Sequence, residues 1–587
     1  VDRDDAAIPL RRGSHGYHHA EVGGLAPGDR YSLRLDGGPG LPDPASRYQP
    51  EGVHGPSAVV DPGSFTWTDA GWPGPSQSKL VLYELHVGTF TEEGSFDAII
   101  PHIAELRDLG VTAIELMPVA QFPGRRNWGY DGVLPFAVQH SYGGPEGLRR
   151  LVDACHAQGM AVLLDVVFNH LGPEGNYLPA FGPYLTARAT TPWGQALNFD
   201  GPASDEVRRF FIESVVHWVE EYHLDGFRLD AIHAINDVSA RPFLEEVTAT
   251  VHDLGDRLDR RVVVIAESIM NDPRVITPAI VGGFGMDAEW CDDFHHALHV
   301  ELTGETGGYY DDFTGFLDLV RAFRQGFVFT GRHSLYRGRR HGSLPRLYQG
   351  RNLVVFAQNH DQIGNRAQGD RLTTQLSFEQ RKLAAGVVCL SPYLPMLFMG
   401  EEYSETAPFQ FFVEHGNPGL IEAVRIGRRA DFASFHWQGE IPDPQDERTF
   451  LRSKLDHALR ETPDGAALWR FYQELLRLRR DVPALASLTP ETMEVLPYYP
   501  QRIMAVQRWT PLEDDEVVTI FSFSPDPQAV TLPLARGEWE VVLDSADSSW
   551  LDSGADTPSQ VESSGDVALT VAPWSVVVFR RNSGGGA

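Results

Sequence analysis

The sequence predicts a (β/α)8 barrel flanked by two β domains. Three observations carry that expectation. First, short apolar runs alternate with amphipathic helical stretches between residues 79 and 486. Such alternation builds a parallel sheet, and eight units imply closure. Second, four of the runs end in polar strings, Asp165-Val-Val-Phe-Asn-His170, Gly226-Phe-Arg-Leu-Asp230, Ile265-Ala-Glu267 and Gln358-Asn-His-Asp361. Buried strands do not end in unpaired charge without a reason, and a barrel would gather all four ends on one rim. Third, the texture is Gly- and Pro-rich with short alternating runs before this region and turns to β-type runs after it. A doubly wound open sheet competes, but no Gly-x-Gly-x-x-Gly turn follows the first strand.

Residues 1–78 carry short alternating runs such as Tyr31-Ser-Leu-Arg-Leu35 and predict a small N-terminal β domain of the sandwich type. Trp67 and Trp72 suit packing against the next domain better than sugar binding. Val81–Val87 reads as the first barrel strand. Ser95 then offers an N-cap to a helix whose Phe96, Ile99, Ile103 and Leu106 share a face, ended by Gly110. A second strand is expected at 112–119, and the unit repeats. Helix 145–158 leads to strand 160–168, helix 205–222 to strand 226–232, and helix 242–254 to strand 262–267. A weaker strand follows at 286–290; 353–357 and 395–399 supply two more, and helix 466–480 closes the series. Residues 171–203 exceed an ordinary βα loop and are expected to stand over the mouth. The stretch 330–350 is locally basic (Arg332, Arg337, Arg339, Arg340, Arg346) and suits pairing with acids near the site. Residues 487–582 predict a C-terminal antiparallel β-sandwich, and 583–587 a disordered tail.

The 587 residues are too many for one core. A net charge of −31 argues against nucleic acid or an anionic membrane as partner. Cys155, Cys291 and Cys389 are far apart, which favours a reducing compartment, and no apolar signal segment or membrane-length run is present. The expected location is cytoplasmic.

The strand ends suggest a chemistry. Arg228 and Asp230, two apart on one strand, point the same way, and the guanidinium would keep the carboxylate ionised as a nucleophile requires. A plain ion pair is the alternative. Glu267 ends an apolar strand with no cation adjacent in sequence, an environment that raises a carboxyl pKa and suits a general acid. One acid held charged and one held neutral is the pairing of retaining glycosidases. Asp361 supplies a third acid that suits stabilisation of oxocarbenium charge. Trp128 and Tyr130 suit sugar platforms or buried anchors. Asp165 and Asn169 would share a side if their strand continues. No metal-ligand spacing is present, and no cofactor is called for.

The four strings resemble the four conserved-sequence regions of the α-amylase superfamily of glycoside hydrolases, over residues 79–485. The resemblance implies Asp230 as nucleophile, Glu267 as acid/base and Asp361 as transition-state stabiliser. It also implies that Arg228, His170 and His360 hold the sugar at the bond-cleaving subsite, with Tyr130 stacked there. The stretch Tyr83-Glu-Leu-His-Val-Gly-Thr-Phe-Thr91 is similar to branching and isoamylase-type members. Three others, Asp43–Pro56, Phe122–Asp131 and Asp292-Asp-Phe-His-His296, look like members that cut the α-1,4 bond next to the terminal trehalose of a maltooligosyl-trehalose chain. That similarity implies release of trehalose and a maltooligosaccharide, with a branching or debranching enzyme as the alternative. Asp292, His295 and His296 become candidates for the leaving-group side, against a structural histidine pair, and His233 for the mouth, against a packed strand-end residue. Phe412-Val-Glu-His-Gly416 departs from the Asp-His form of the superfamily, so no role carries onto it. A non-catalytic relative would have lost an acid, and all three are present.

Overall fold

The computed structural model describes residues 7–191, 194–345, 348–431, 440–512, 514–551, 554 and 557–582. Arg346 and the tail 583–587 lie outside the described residues. Eight parallel strands close a barrel: β1 (Leu82–Leu85), β2 (Ala113–Leu116), β3 (Ala161–Val166), β4 (Gly226–Leu229), β5 (Val263–Ala266), β6 (Ala288–Trp290), β7 (Leu353–Val355) and β8 (Leu394–Phe398). Each pairs with its sequence neighbours, and β8 returns to β1. The strands are buried along their whole length because helices cover the outside and side chains fill the inside. All eight lie where the apolar runs placed them, the last shifted by one residue and the first seven shorter, since chain that follows the last ladder bond turns into the rim loops.

The helix expected after Ser95 is broken. Residues Phe96–Ile99 and Ile103–Leu109 are helical, with a tight turn at Ile100–His102 between them. Pro101 supplies no N–H and clashes with the preceding turn, so the helix cannot run through it. The apolar stripe survives the break: Phe96, Ile99, Ile103 and Leu106 are all buried. Gly110 ends the segment at φ 112°, a left-handed cap.

Before the barrel, residues pair in two-residue ladders, Arg30–Tyr31 with Ser57–Ala58 and Leu33–Arg34 with Gly40–Leu41. The segment that follows seals the lower end of the barrel. Trp67 stacks on His223 at 3.8 Å, and the Trp72 indole N–H donates to Asp225 at 2.7 Å. His156 is fully buried between Asp69 and Asp225, 2.8 Å from each. Both tryptophans therefore pack, as their flanking sequence suggested.

After the barrel come β9 (Met493–Tyr498), β10 (Ile503–Trp509), β11 (Glu516–Ser522), β12 (Gln528–Leu532), β13 (Gly537–Asp544), β14 (Gln560–Ser563), β15 (Val567–Val571) and β16 (Val576–Arg581). Six form an antiparallel sheet in the order β9-β10-β11-β16-β13-β14, and β12 pairs with β15. Ile503, Ile520, Trp539 and Phe579 fill a separate core. The buried Arg508 guanidinium joins the sheet to the barrel by donating to the Leu390 and Leu485 carbonyls at 3.1 and 2.9 Å. Within 171–203, Leu185–Thr191 and Gly194–Leu197 form a hairpin.

Candidate active site

Register brings the first charged pair together. Asp165 on β3 lies directly opposite Arg228 on β4, and in parallel strands such neighbours share a face. The Arg228 guanidinium, wholly buried, donates to Asp165 at 2.6 Å and to Asp230 at 2.8 Å, and its other terminal nitrogen stands 3.1 Å from Glu267. Its flat face lies 4.3 Å from the centre of the Trp290 ring. One cation thus touches three carboxyls and cannot rotate away from them. The ion pair of Arg228 and Asp230 is present, and the contact is compatible with the functional reading.

Glu267 follows the last residue of β5 and is 8% exposed. The sequence shows no cation beside it, yet the fold supplies Arg228 from the neighbouring strand. Burial still dominates: desolvation, helped by the charges of Asp230, Asp361 and Asp292, pushes Glu267 up to about 8 against the pull of Arg228. Its Oε2 also accepts from the Ala231 N–H at 2.5 Å. Ala231 reaches that position with φ 41°, a left-handed backbone that costs an L-residue roughly 1–2 kcal/mol. The strain turns the chain sharply after Asp230 and aims an amide at the partner acid. Asn169 completes the grip, donating to the Asp230 side chain at 2.6 Å and to its carbonyl at 3.0 Å. Because β3 stops at Val166, Asn169 does not share a strand face with Asp165; the loop swings it across to β4.

Asp361 lies in the first turn of the short helix His360–Gly364 and is about one-third exposed, facing the mouth. His360 Nε2 lies 3.5 Å from Asp361 and 2.8 Å from the Tyr130 hydroxyl, which donates to Asp165 at 2.5 Å. The Tyr130 ring stacks on His360 at 5.3 Å. His170 is buried, with Nε2 on the Tyr130 carbonyl at 3.0 Å. Asp230, Glu267, Asp361, Arg228, His170, His360 and Tyr130 are therefore one contiguous set.

The remaining candidates divide. Trp128 is 4% exposed, lies flat on Phe409 and donates its indole N–H to the Gln410 carbonyl at 2.9 Å. It anchors the loop beneath Tyr130 instead of offering a face to sugar, because its apolar ring finds a better partner in Phe409 than in water. His295 is likewise turned into the core, with Nδ1 donating to the Ala357 carbonyl at 2.7 Å and Nε2 3.2 Å from the Tyr310 hydroxyl. The helical spacing that puts His295 inward puts Asp292 and His296 on a cavity shared with Asn271, Tyr309, Tyr336 and Arg337. Burial, with Asp361 and Asp293 nearby, pushes Asp292 up to about 7. Burial also pushes His296 down to about 3. His233 is exposed at the rim. Of the basic stretch, Arg337 reaches this cavity, whereas Arg332 pairs with Asp318 at 3.0 Å, Arg340 donates to the Gly331 carbonyl and Arg339 is exposed.

The family model for the alpha amylase catalytic domain matches residues 61–181, and that for the alpha amylase C-terminal all-beta domain matches 499–582. The malto-oligosyltrehalose trehalohydrolase of Saccharolobus solfataricus is 47% identical over 80% of this chain and 81% of that protein. The enzyme of the same name from Arthrobacter ramosus is 46% identical over 92% of this chain and 90% of its own. The chain belongs to the malto-oligosyltrehalose trehalohydrolase family. The superfamily resemblance carried by the four strings is thereby borne out, and so is the narrower one carried by 43–56, 122–131 and 292–296. A crystal structure titled as a putative alpha amylase from Salmonella typhimurium, 39% identical, superposes with a TM-score of 0.86 over 98% of this chain and 94% of that one. In this member of the trehalohydrolase family the unassigned segment 412–416 is a brace. Glu414 accepts from the Arg125 N–H at 2.7 Å, and His415 sits between Glu174 at 3.2 Å and Asp131 at 3.7 Å.

Two groups of the site escaped the sequence reading. Asp165 was visible in its string but carried no role there; its partnership with Arg228 needs the barrel register. Glu84 on β1 reads in sequence only as part of an apolar strand. A charge in the middle of Val81–Val87 was the available signal, and its buried carboxylate bonds to His360.

Proposed function

We propose that the protein hydrolyses the α-1,4 bond next to the terminal trehalose of maltooligosyl-trehalose, with retention. Glu267 protonates the leaving trehalose oxygen while Asp230 attacks the anomeric carbon, giving a covalent glycosyl-enzyme. Glu267, now charged, takes a proton from water, which releases the maltooligosaccharide and restores the acid. Asp361 faces the positive charge that develops on the ring. Arg228, His170, His360 and Tyr130 hold the sugar that donates the glycosyl group. Asp292 and His296 line the side taken by the leaving trehalose, with His233 at its rim, and Trp128 and His295 act from behind as supports.

A single observation carries this reading. One buried guanidinium contacts two acids whose surroundings differ, and the acid that terminates the apolar strand is pushed up to about 8 while still in contact with the cation. It therefore keeps its proton at neutral pH, as a general acid must.

The proposed division is an N-terminal β domain at 1–78, a barrel at 79–486 with 171–203 inserted, and a C-terminal β domain at 487–582. We place the activity in the cytoplasm. Three buried free thiols support this, and among the described residues no helix is long and apolar enough to cross a membrane.

Product analysis tests the assignment. Maltotriosyl-trehalose should yield trehalose and maltotriose, and maltopentaose should change little. Efficient cleavage of maltopentaose, or transfer to branched products, would overturn the substrate assignment in favour of an amylolytic or branching activity.

A further inference from the structure

His360 has a partner on each ring nitrogen, and counting donors decides its charge. Nδ1 meets a carboxylate oxygen of Glu84, which only accepts. The other Glu84 oxygen accepts from the His360 backbone N–H at 2.9 Å. On the far side, Nε2 lies 2.8 Å from the Tyr130 hydroxyl. That hydroxyl has one proton, and it is directed to Asp165 at 2.5 Å. The Asp165 oxygen also accepts from Arg228 at 2.6 Å, so it is the acceptor of the pair. The tyrosine oxygen is therefore left to accept from Nε2–H. Both ring nitrogens of His360 must carry protons.

We propose that Glu84 is a positioning residue, whose two-oxygen grip on the backbone and ring of His360 holds that side chain as an imidazolium beside Asp361. The inference rests on the reading of Asp361 and His360 as parts of the glycosidase site. Its consequence is a fixed line of charge, Glu84, His360 and Asp361, running from the barrel interior to the mouth. The imidazolium keeps Nε2–H donating to the Tyr130 hydroxyl oxygen and a positive charge 3.5 Å from Asp361.

The groups around His360 agree. Burial opposes the charge, but Asp361 and Glu84 outweigh it and push His360 up to about 9, with Arg228 opposing. Glu115 on β2 is buried nearby, and desolvation with the charge of Glu84 pushes its carboxyl well up. His86, after β1, is driven down to about 3 by burial and stays neutral. Tyr130, its hydroxyl proton held by burial, is neutral too. Trp128 and Trp290 contribute ring edges and faces without charge.

Glu84→Gln separates charge from shape. A glutamine at that position accepts the backbone N–H as before and can donate to Nδ1 of a neutral imidazole, leaving Nε2–H in place. The test is histidine-labelled NMR of the ligand-free full chain as a function of pH, with the His360 signal assigned from its disappearance in His360→Gln. The wild type should show both His360 nitrogens protonated at pH 7.5 and above. Glu84→Gln should lose that signature at neutral pH, with His170 unmoved, and kcat/KM should fall about tenfold or more. A singly protonated His360 in the wild type at pH 7.5, or one unaffected by Glu84→Gln, would overturn the proposal. Should the variant not fold, the wild-type titration alone still decides. No substrate enters the spectra, so an error in the substrate assignment shows up in product analysis and not here.

Discussion

Asp230 and Glu267 are both carboxyls one residue beyond a strand, and only their surroundings separate them. Asp230 takes a hydrogen bond from Arg228 and another from Asn169. Glu267 is raised by desolvation and by three neighbouring acids. We therefore expect Asp230→Ala and Glu267→Gln each to lower kcat on maltotriosyl-trehalose by at least about 10²–10⁴-fold, with the circular dichroism spectrum unchanged. Near-normal turnover in either variant would sink the assignment. The same surroundings set the pH dependence. A proton-donating Glu267 titrating near 8 loses its proton as pH rises, so kcat/KM should hold through neutrality and fall with a midpoint near pH 8. A profile flat to pH 10 would exclude Glu267 as the acid of the free enzyme. At this scale the residue types and their place at strand ends were legible. The partner of Glu267 was not, because Arg228 stands 39 positions away in sequence and only strand pairing makes them neighbours.

Between elements, the clearest coupling lies at the opposite end of the barrel. His156, fully buried on the helix before β3, bridges Asp69 from the preceding segment and Asp225 at the start of β4. Burial works against its charge, but the two carboxylates prevail and raise its pKa. A group with a raised folded pKa stabilises fully below its unfolded value, and that contribution is lost as pH rises through the folded one. His156→Gln should thus cost about 3–5 kcal/mol at pH 6, since it leaves buried acids without their cation. The difference from wild type should shrink as the pH is raised above neutral. Urea titrations at several pH values measure this, and a pH-independent difference would argue that His156 is neutral. The sequence showed the tryptophans of this segment as packing groups, and their spacing from the helical histidine carried no hint of a clasp. The broken helix at Pro101 teaches the converse. Its apolar stripe was read correctly although its continuity was not, because burial of the face outweighs one missing hydrogen bond.

For the whole molecule, the C-terminal sheet has its own core but is tied to the barrel through buried cations. Arg508 on β10 donates to four carbonyls, of Leu390, Ser391, Leu485 and Ser487. Within the barrel, Arg479 on the last helix donates to the Cys389 and Ser391 carbonyls at 2.9 Å each and braces the stretch that Arg508 grips. Arg508→Ala would leave those oxygens buried and unpaired, so a loss of about 2–4 kcal/mol is expected, with kcat per folded molecule unchanged. Thermal unfolding and active-site titration measure the two parts. An unaltered Tm would mean that the sheet and barrel are held by apolar contact alone.

The sequence by itself determined the order of elements, the closure of eight βα units and the presence of three acids beyond barrel strands, because periodicity and charge at strand ends are local properties. It also carried the family, through strings that survive without knowledge of their neighbours. The tertiary structure alone decided which groups share a proton. Register set Asp165 against Arg228, the left-handed turn at Ala231 aimed an amide at Glu267, and the same helix turned His295 inward and His296 outward. Those outcomes depend on distance and desolvation, which act between strands far apart in the chain, so no window of sequence contains them.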